Sequence, residues 1–106
     1  MPKYLVQVSF TVEGTKGLVK EGGTKRREAV EQFIRSAGGK LEALYFALGE
    51  TDAFAIMDLP DNVSMAAASL AANAAGLVQV KTTVLLTPEE MDQAAKKSAN
   101  YRPPGT

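Results

Sequence analysis

The 106-residue chain contains no cysteine and no histidine. Without cysteine there is no disulfide framework, no thiolate nucleophile and no Cys-based zinc site. Without histidine, a Ser-His-Asp relay, the usual haem ligand and most catalytic zinc sites are excluded. Any metal would be held by carboxylate and carbonyl oxygens alone, which is calcium or magnesium chemistry; neither a metal nor a cofactor is expected. Charge of one sign is also missing, since 12 Lys and Arg balance 12 Asp and Glu. That balance lacks the basic excess that phosphate neutralisation requires, so no nucleic-acid partner is expected. It also leaves little repulsion between copies, so self-association is not opposed. No apolar run reaches the ~18 residues of a membrane span and no signal-peptide pattern opens the chain. The expectation is a cytoplasmic protein with no membrane partner.

What is present fits one domain: 45% hydrophobic and 23% charged residues, taken as residues 1–98 with a loose tail at 99–106. Residues 3–12 alternate as a strand, with Tyr4, Val6, Val8, Phe10 and Val12 on one face and Leu5, Gln7, Ser9 and Thr11 on the other. The glycines of "EGTKG" break the pattern. A helix is predicted from about Thr24, its expected N-cap, to Ala37, ended by Gly38-Gly39. Its stripe is Val30, Phe33, Ile34 and Ala37, with Arg26 pointing the same way one turn earlier. Two strands follow, 40–48 and 52–60, joined by a short hairpin loop. Simple alternation sets Leu44, Phe46 and Leu48 against Leu41 and Tyr45. Apolar residues on both faces of these strands imply that both faces of the sheet are covered.

A second helix is predicted over 62–75, with Asp61 as N-cap and Gly76 as stop. Helical spacing offers Val63, Ala66, Ala67, Leu70, Ala71 and Ala74 as its core stripe. The opposite face holds Met65, Ala68, Ser69 and Ala72. No charge occurs between Asp61 and Lys81, so Met65, Ala68 and Ala72 are the candidate subunit contact. A fourth strand spans 77–86. "TPEEM" then carries a capping box, Thr87 to Glu90, and a hydrophobic staple, Leu86 to Met91, opening a short final helix.

Strand, helix, strand, strand, helix, strand describes an α+β split βαβ arrangement, the ferredoxin-like sandwich, with an extra C-terminal helix. Right-handed crossovers set strand 1 beside strands 3 and 4.

The stretch "YFALGETDAFAIMDLPDN" resembles the signature of the GYD domain family, a group of the dimeric α/β-barrel proteins. The family's Gly-x-Tyr-Asp is represented by Gly49 and Asp52, with Thr51 where the family carries Tyr, and Pro60-Asp61 follow. "KGLVKEGGTKRREAVEQFIRSAGGKLEALYFALG" and "VKTTVLLTPEEM" are similar to the family too. The resemblance implies two such sheets packed face to face in a homodimer. It carries no established reaction.

Candidate chemistry therefore rests on residue types. Gln7, Ser9 and Tyr45, with Gln79 and Lys81 on strand 4, form a candidate ligand pocket, a polar stripe on an otherwise apolar face. A desolvated Lys81 could act as a base, or it could simply guard an edge strand against stray pairing. Asp52 reads as a turn-fixing residue, or as a carboxylate paired with Glu50. Lys25, Arg26 and Arg27 follow two glycines but match no phosphate-binding fingerprint, and read as a solvated basic turn. The expected function is an oligomeric small-molecule-binding or non-catalytic module whose pocket lies between sheet and partner. Its expected partners are a second copy of itself and a small-molecule ligand. A cofactor-free enzyme acting on a small acidic or aromatic substrate, or a purely structural assembly protein, are the alternatives.

Overall fold

The structure, a computed structural model, describes all 106 residues. Its elements are β1 (Lys3–Phe10), α1 (Val12–Glu21), α2 (Gly23–Ser36), β2 (Lys40–Phe46), β3 (Ala53–Asp58), α3 (Asn62–Ala74), β4 (Val78–Leu85) and α4 (Pro88–Lys96). The strands form one antiparallel sheet in the order β2-β3-β1-β4. This is the ferredoxin-like α+β order, with β1 between β3 and β4 as the crossover rule requires. No helix is long and apolar enough to cross a membrane.

Two elements depart from the pattern in the sequence. The first strand stops at Phe10, because Thr11 leaves the ladder to cap a helix that simple alternation had not delimited. The Thr11 hydroxyl accepts a hydrogen bond from Gly14 N at 3.2 Å. Its own N–H donates to Leu77 O at 3.0 Å. Val12 is thus an exposed helical residue, not a strand residue. Gly14 lies so close to the Leu77 backbone that a Cβ there would meet the carbonyl oxygen at 1.9 Å, which is why a helix-weakening residue is tolerated. The following helix starts one residue before Thr24, with Gly22 as its N-cap. In β2, a bulge at Glu42 shifts the register between Leu41 and Ala43. Leu41, Leu44 and Phe46 therefore pair with Met57, Ala55 and Ala53 on one face, where alternation had set Leu41 against the other two.

The core lies between that face and the helices. Tyr4, Val6, Ala55, Met57 and Leu41 meet Ile34 of α2 and Met65 and Ala68 of α3. Here the expected orientation of α3 is inverted. Met65 and Ala68 are 5% and 4% exposed, whereas Val63 and Leu70 are 78% and 70% exposed. Met65, Ala68 and Ala72 are thus not an outward subunit contact; they face the sheet. Both faces of α3 are apolar, so hydrophobic spacing could not choose between them. A line of polar residues chooses. Asn62, Ser69 and Asn73, at i, i+7 and i+11, fall on one edge of the helix. The Tyr4 hydroxyl donates to Asn62 Oδ1 at 2.6 Å, Ser69 Oγ meets Thr82 Oγ1 at 3.3 Å, and Val80 N donates to Asn73 Oδ1 at 3.0 Å. Satisfying these groups rotates the Val63–Leu70 stripe outward. Burial, then the nearby Asp61 charge, push the Tyr4 phenol above its ordinary value.

Asp61 caps α3 by accepting a hydrogen bond from Ser64 N at 2.8 Å. Hydrogen bonds from Ser64, the backbone N–H first, hold its carboxyl below the ordinary carboxylate value.

The rotation of α3 predicts unequal costs for two truncations. Met65→Ala should cost about 2–5 kcal/mol and Val63→Ala less than about 0.5 kcal/mol, read from urea midpoints. Asp61 supplies a pH-dependent term. Its folded value is depressed, so its contribution is complete above the unfolded value and is lost as pH falls through the folded one. The stability gap between the native chain and Asp61→Asn, which cannot ionise, should hold at neutral pH and shift against the native chain below roughly pH 4. Paired urea titrations at neutral and acid pH check it.

Candidate ligand-binding groove

Helix α2 packs on β2 and α3 on β4, towards opposite edges of the sheet. Between them a groove of about 380 Å³ opens over the central strands. Its floor is Val6 and Val8 of β1 with Ala53 and Ala55 of β3; its walls are Val30 and Phe33 of α2 and Met65, Ala68 and Ala72 of α3. The space exists because alanines face one another across it: β3 presents Ala53 and Ala55 where larger core residues would fill the gap, and α3 presents Ala68, Ala71 and Ala72. Only Arg26 and Ser69 among the lining residues are polar. Arg26 also borders a smaller cavity of about 120 Å³ beneath α1, with Phe10, Leu77 and Glu21. Its one ion pair, Nη1 to Glu21 Oε1 at 3.7 Å, is long and half exposed, so it holds the guanidinium weakly.

The five residues expected to form a pocket lie on the other face of the sheet. Tyr45, Phe54, Gln7 and Lys81 stand in one row across β2, β3, β1 and β4, and Ser9 pairs with Gln79 beside them. Three strand spacings, roughly 14 Å, separate Tyr45 from Lys81. Gln7, Ser9, Gln79 and Lys81 are therefore brought together and Tyr45 is not. Neither cavity borders any of them. Farther along the same face, Lys3 bridges Glu42 and Asp58, with Nζ 3.0 Å from Asp58 Oδ1. Hydrogen bonds to Glu42 first, then to Asp58, raise the Lys3 ammonium above its ordinary value.

The loop between β2 and β3 is tied to β1. Gly49 has φ +126°, a conformation that favours glycine. Asp52 Oδ2 accepts from Phe10 N at 2.8 Å, and Asp52 N donates to Val8 O at 2.9 Å. Residues 4–95 match the GYD domain. The chain belongs to the GYD domain family. No curated protein and no solved structure matched it.

In this GYD domain the aspartate of the motif anchors the loop to the end of β1. The threonine at the tyrosine position points to the second sheet face, where the Thr51 hydroxyl donates to Gln7 Oε1 at 3.1 Å. Glu50 is exposed and pairs with no cation, and no cluster of carboxylates is placed to hold a metal ion. In the basic turn at the start of α2, Arg27 is paired within its own helix, Nε on Glu31 Oε1 at 2.9 Å. The Val30–Phe33–Ile34 wall is legible in the amino-acid sequence; the groove is not. The signal was the coincidence of alanines on β3 and α3, legible only once both helix rotation and strand register are known.

Removing the Asp52 carboxylate strands the Phe10 N–H. Asp52→Ala should destabilise the domain by about 1–3 kcal/mol, and Asp52→Asn, which keeps an acceptor, by less. Thermal melts of the two variants side by side measure the difference.

Proposed function

We propose that this GYD domain is a homo-oligomeric module that binds a small, largely apolar molecule in the groove between α2 and α3. The observation that carries the reading is the groove itself. Its 380 Å³ falls within the roughly 300–1,000 Å³ of small-molecule sites, and an apolar lining with few polar groups is their usual composition. A ligand with an apolar body and one acidic or carbonyl oxygen suits it, because Arg26 is the only charged residue in the lining. Binding recovers the dispersion contacts that facing alanines leave unmade. No side chain suited to moving a proton lines the groove, which favours binding over acid–base turnover.

The oligomer is supported by area. The chain exposes 7638 Å², about a third more than the roughly 5,700 Å² usual for a monomer of its mass. On the uncovered sheet face, Tyr45 is 74% and Phe54 37% exposed. A partner sheet laid there would enclose the stripe of Gln7, Ser9, Gln79 and Lys81.

Titration of the full-length chain with 1-anilinonaphthalene-8-sulfonate, an apolar monoanion, tests the groove. Saturable fluorescence enhancement is expected. Ala72→Phe, which fills the groove from its half-buried rim, should weaken binding at least about tenfold with circular dichroism unchanged, and Arg26→Gln should weaken it less. Equal affinity in Ala72→Phe would sink the assignment.

A further inference from the structure

Helix α4 is well begun and poorly supported. Its capping box is complete: Glu90 N donates to Thr87 Oγ1 at 3.1 Å, and Thr87 N donates to Glu90 Oε1 at 2.9 Å. Pro88 occupies the first turn. Yet the helix has nine residues, none of them buried, and every residue from Pro88 to the C-terminus is exposed. Isolated helices shorter than about 12–15 residues are marginal in water even with good propensities. A cap adds about 1 kcal/mol, which does not replace a packing surface. The sequence is nonetheless written for one: Met91, Ala94 and Ala95 share a side, Leu86 extends it as the staple, and Glu89, Gln93 and Lys96 take the opposite side. Leu86 and Met91 are each 55% exposed.

The molecule as a whole is extended. The chain measures 57 × 32 × 23 Å with a radius of gyration of 16.8 Å, against about 13 Å for a compact domain of this length. The excess accessible surface, roughly 1,900 Å² over the monomer expectation, exceeds the roughly 800 Å² that each partner buries in a standard interface. The chain therefore carries enough uncovered surface for a contact beyond a single patch.

We infer that α4 is an arm that docks on a second copy of this chain, laying Leu86, Met91, Ala94 and Ala95 against the outward stripe of that copy's α3, centred on Val63 and Leu70. Three observations select this receiving surface. It carries two large exposed aliphatic side chains and no charge, because none occurs between Asp61 and Lys81. From Val63 to Ala74 it is about 16 Å long, against about 13 Å for α4. The open sheet face, which carries Lys3, Glu42, Asp58 and Lys81, fits an uncharged apolar stripe worse. Helix on helix with alanines at the seam allows close approach of the two axes.

The chain has no cysteine, so introduced thiols report cleanly. Leu70→Cys and Met91→Cys, both at exposed positions, are prepared as separate full-length chains, mixed, and treated with a short bis-maleimide able to bridge the roughly 8–10 Å between packed helices. The expected product is a covalent heterodimer of twice 11.2 kDa, exceeding any product of either variant alone. Absence of that heterodimer overturns the proposal. So does a double variant, Leu70→Cys with Met91→Cys, whose cross-links form wholly within one chain, because the arm then folds back on its own α3. A sheet-to-sheet dimer that survives without the heterodimer would refute the arm and leave the groove reading untouched.

Discussion

The line of Asn62, Ser69 and Asn73 along α3 is the constraint on which the rest of the molecule depends. Three hydrogen bonds, to Tyr4, Thr82 and the Val80 N–H, tie one edge of the helix to β1 and β4. The hydroxyl of buried Tyr4 would cost more unpaired than its bond to Asn62 contributes, and the exposed Ser69 and Asn73 bonds set the same edge against β4. A helix with two apolar faces is therefore decided by its polar edge. Once that edge is docked, Met65 and Ala68 enter the core, Ala72 lines the groove, and Val63 and Leu70 face outward. The core, the groove and the outward stripe are consequences of one rotation.

The groove depends on a second constraint, the β2 bulge. By setting Leu41, Leu44 and Phe46 on one face, it gathers the bulk of β2 under α2. The alanines of β3 and α3 then face each other with nothing large between them. Space in a protein interior follows from shape, and a well-packed core leaves few voids larger than water. An apolar groove of this size is thus a specific outcome of where the small residues fall. The loop that marks the family plays a different part. Asp52 and Gly49 hold the β2–β3 connection against the end of β1, so the motif secures the framework at a distance from the groove, and Thr51 contributes a hydrogen bond to Gln7 on the far face.

Much of the architecture was legible in the amino-acid order. Period-two and helical patterns found the four strands, α2, α3 and α4, and the crossover rule placed β1 between β3 and β4. The Thr87–Glu90 box and the Asp61 cap were readable because capping is local chemistry between residues three apart. Helix α1 was not delimited, since its cap, Thr11, is held by Gly76 and Leu77 from the other end of the chain, and Gly14 is tolerated only because that backbone lies against it. The polar stripe of Gln7, Ser9, Gln79 and Lys81 was legible because strand order sets β1 beside β4; Tyr45 falls in the same row, but three strands away.

The sequence by itself determined the fold class, the family and the chemistries excluded by having neither histidine nor cysteine, because those follow from local periodicity, capping and residue type. Tertiary structure alone decided which face of α3 is buried, that Leu41 joins Leu44 and Phe46, and that a groove opens between the helices. Each of these turns on hydrogen bonds or contacts between residues far apart in the chain, where hydrophobic pattern is degenerate and only the partner breaks the tie.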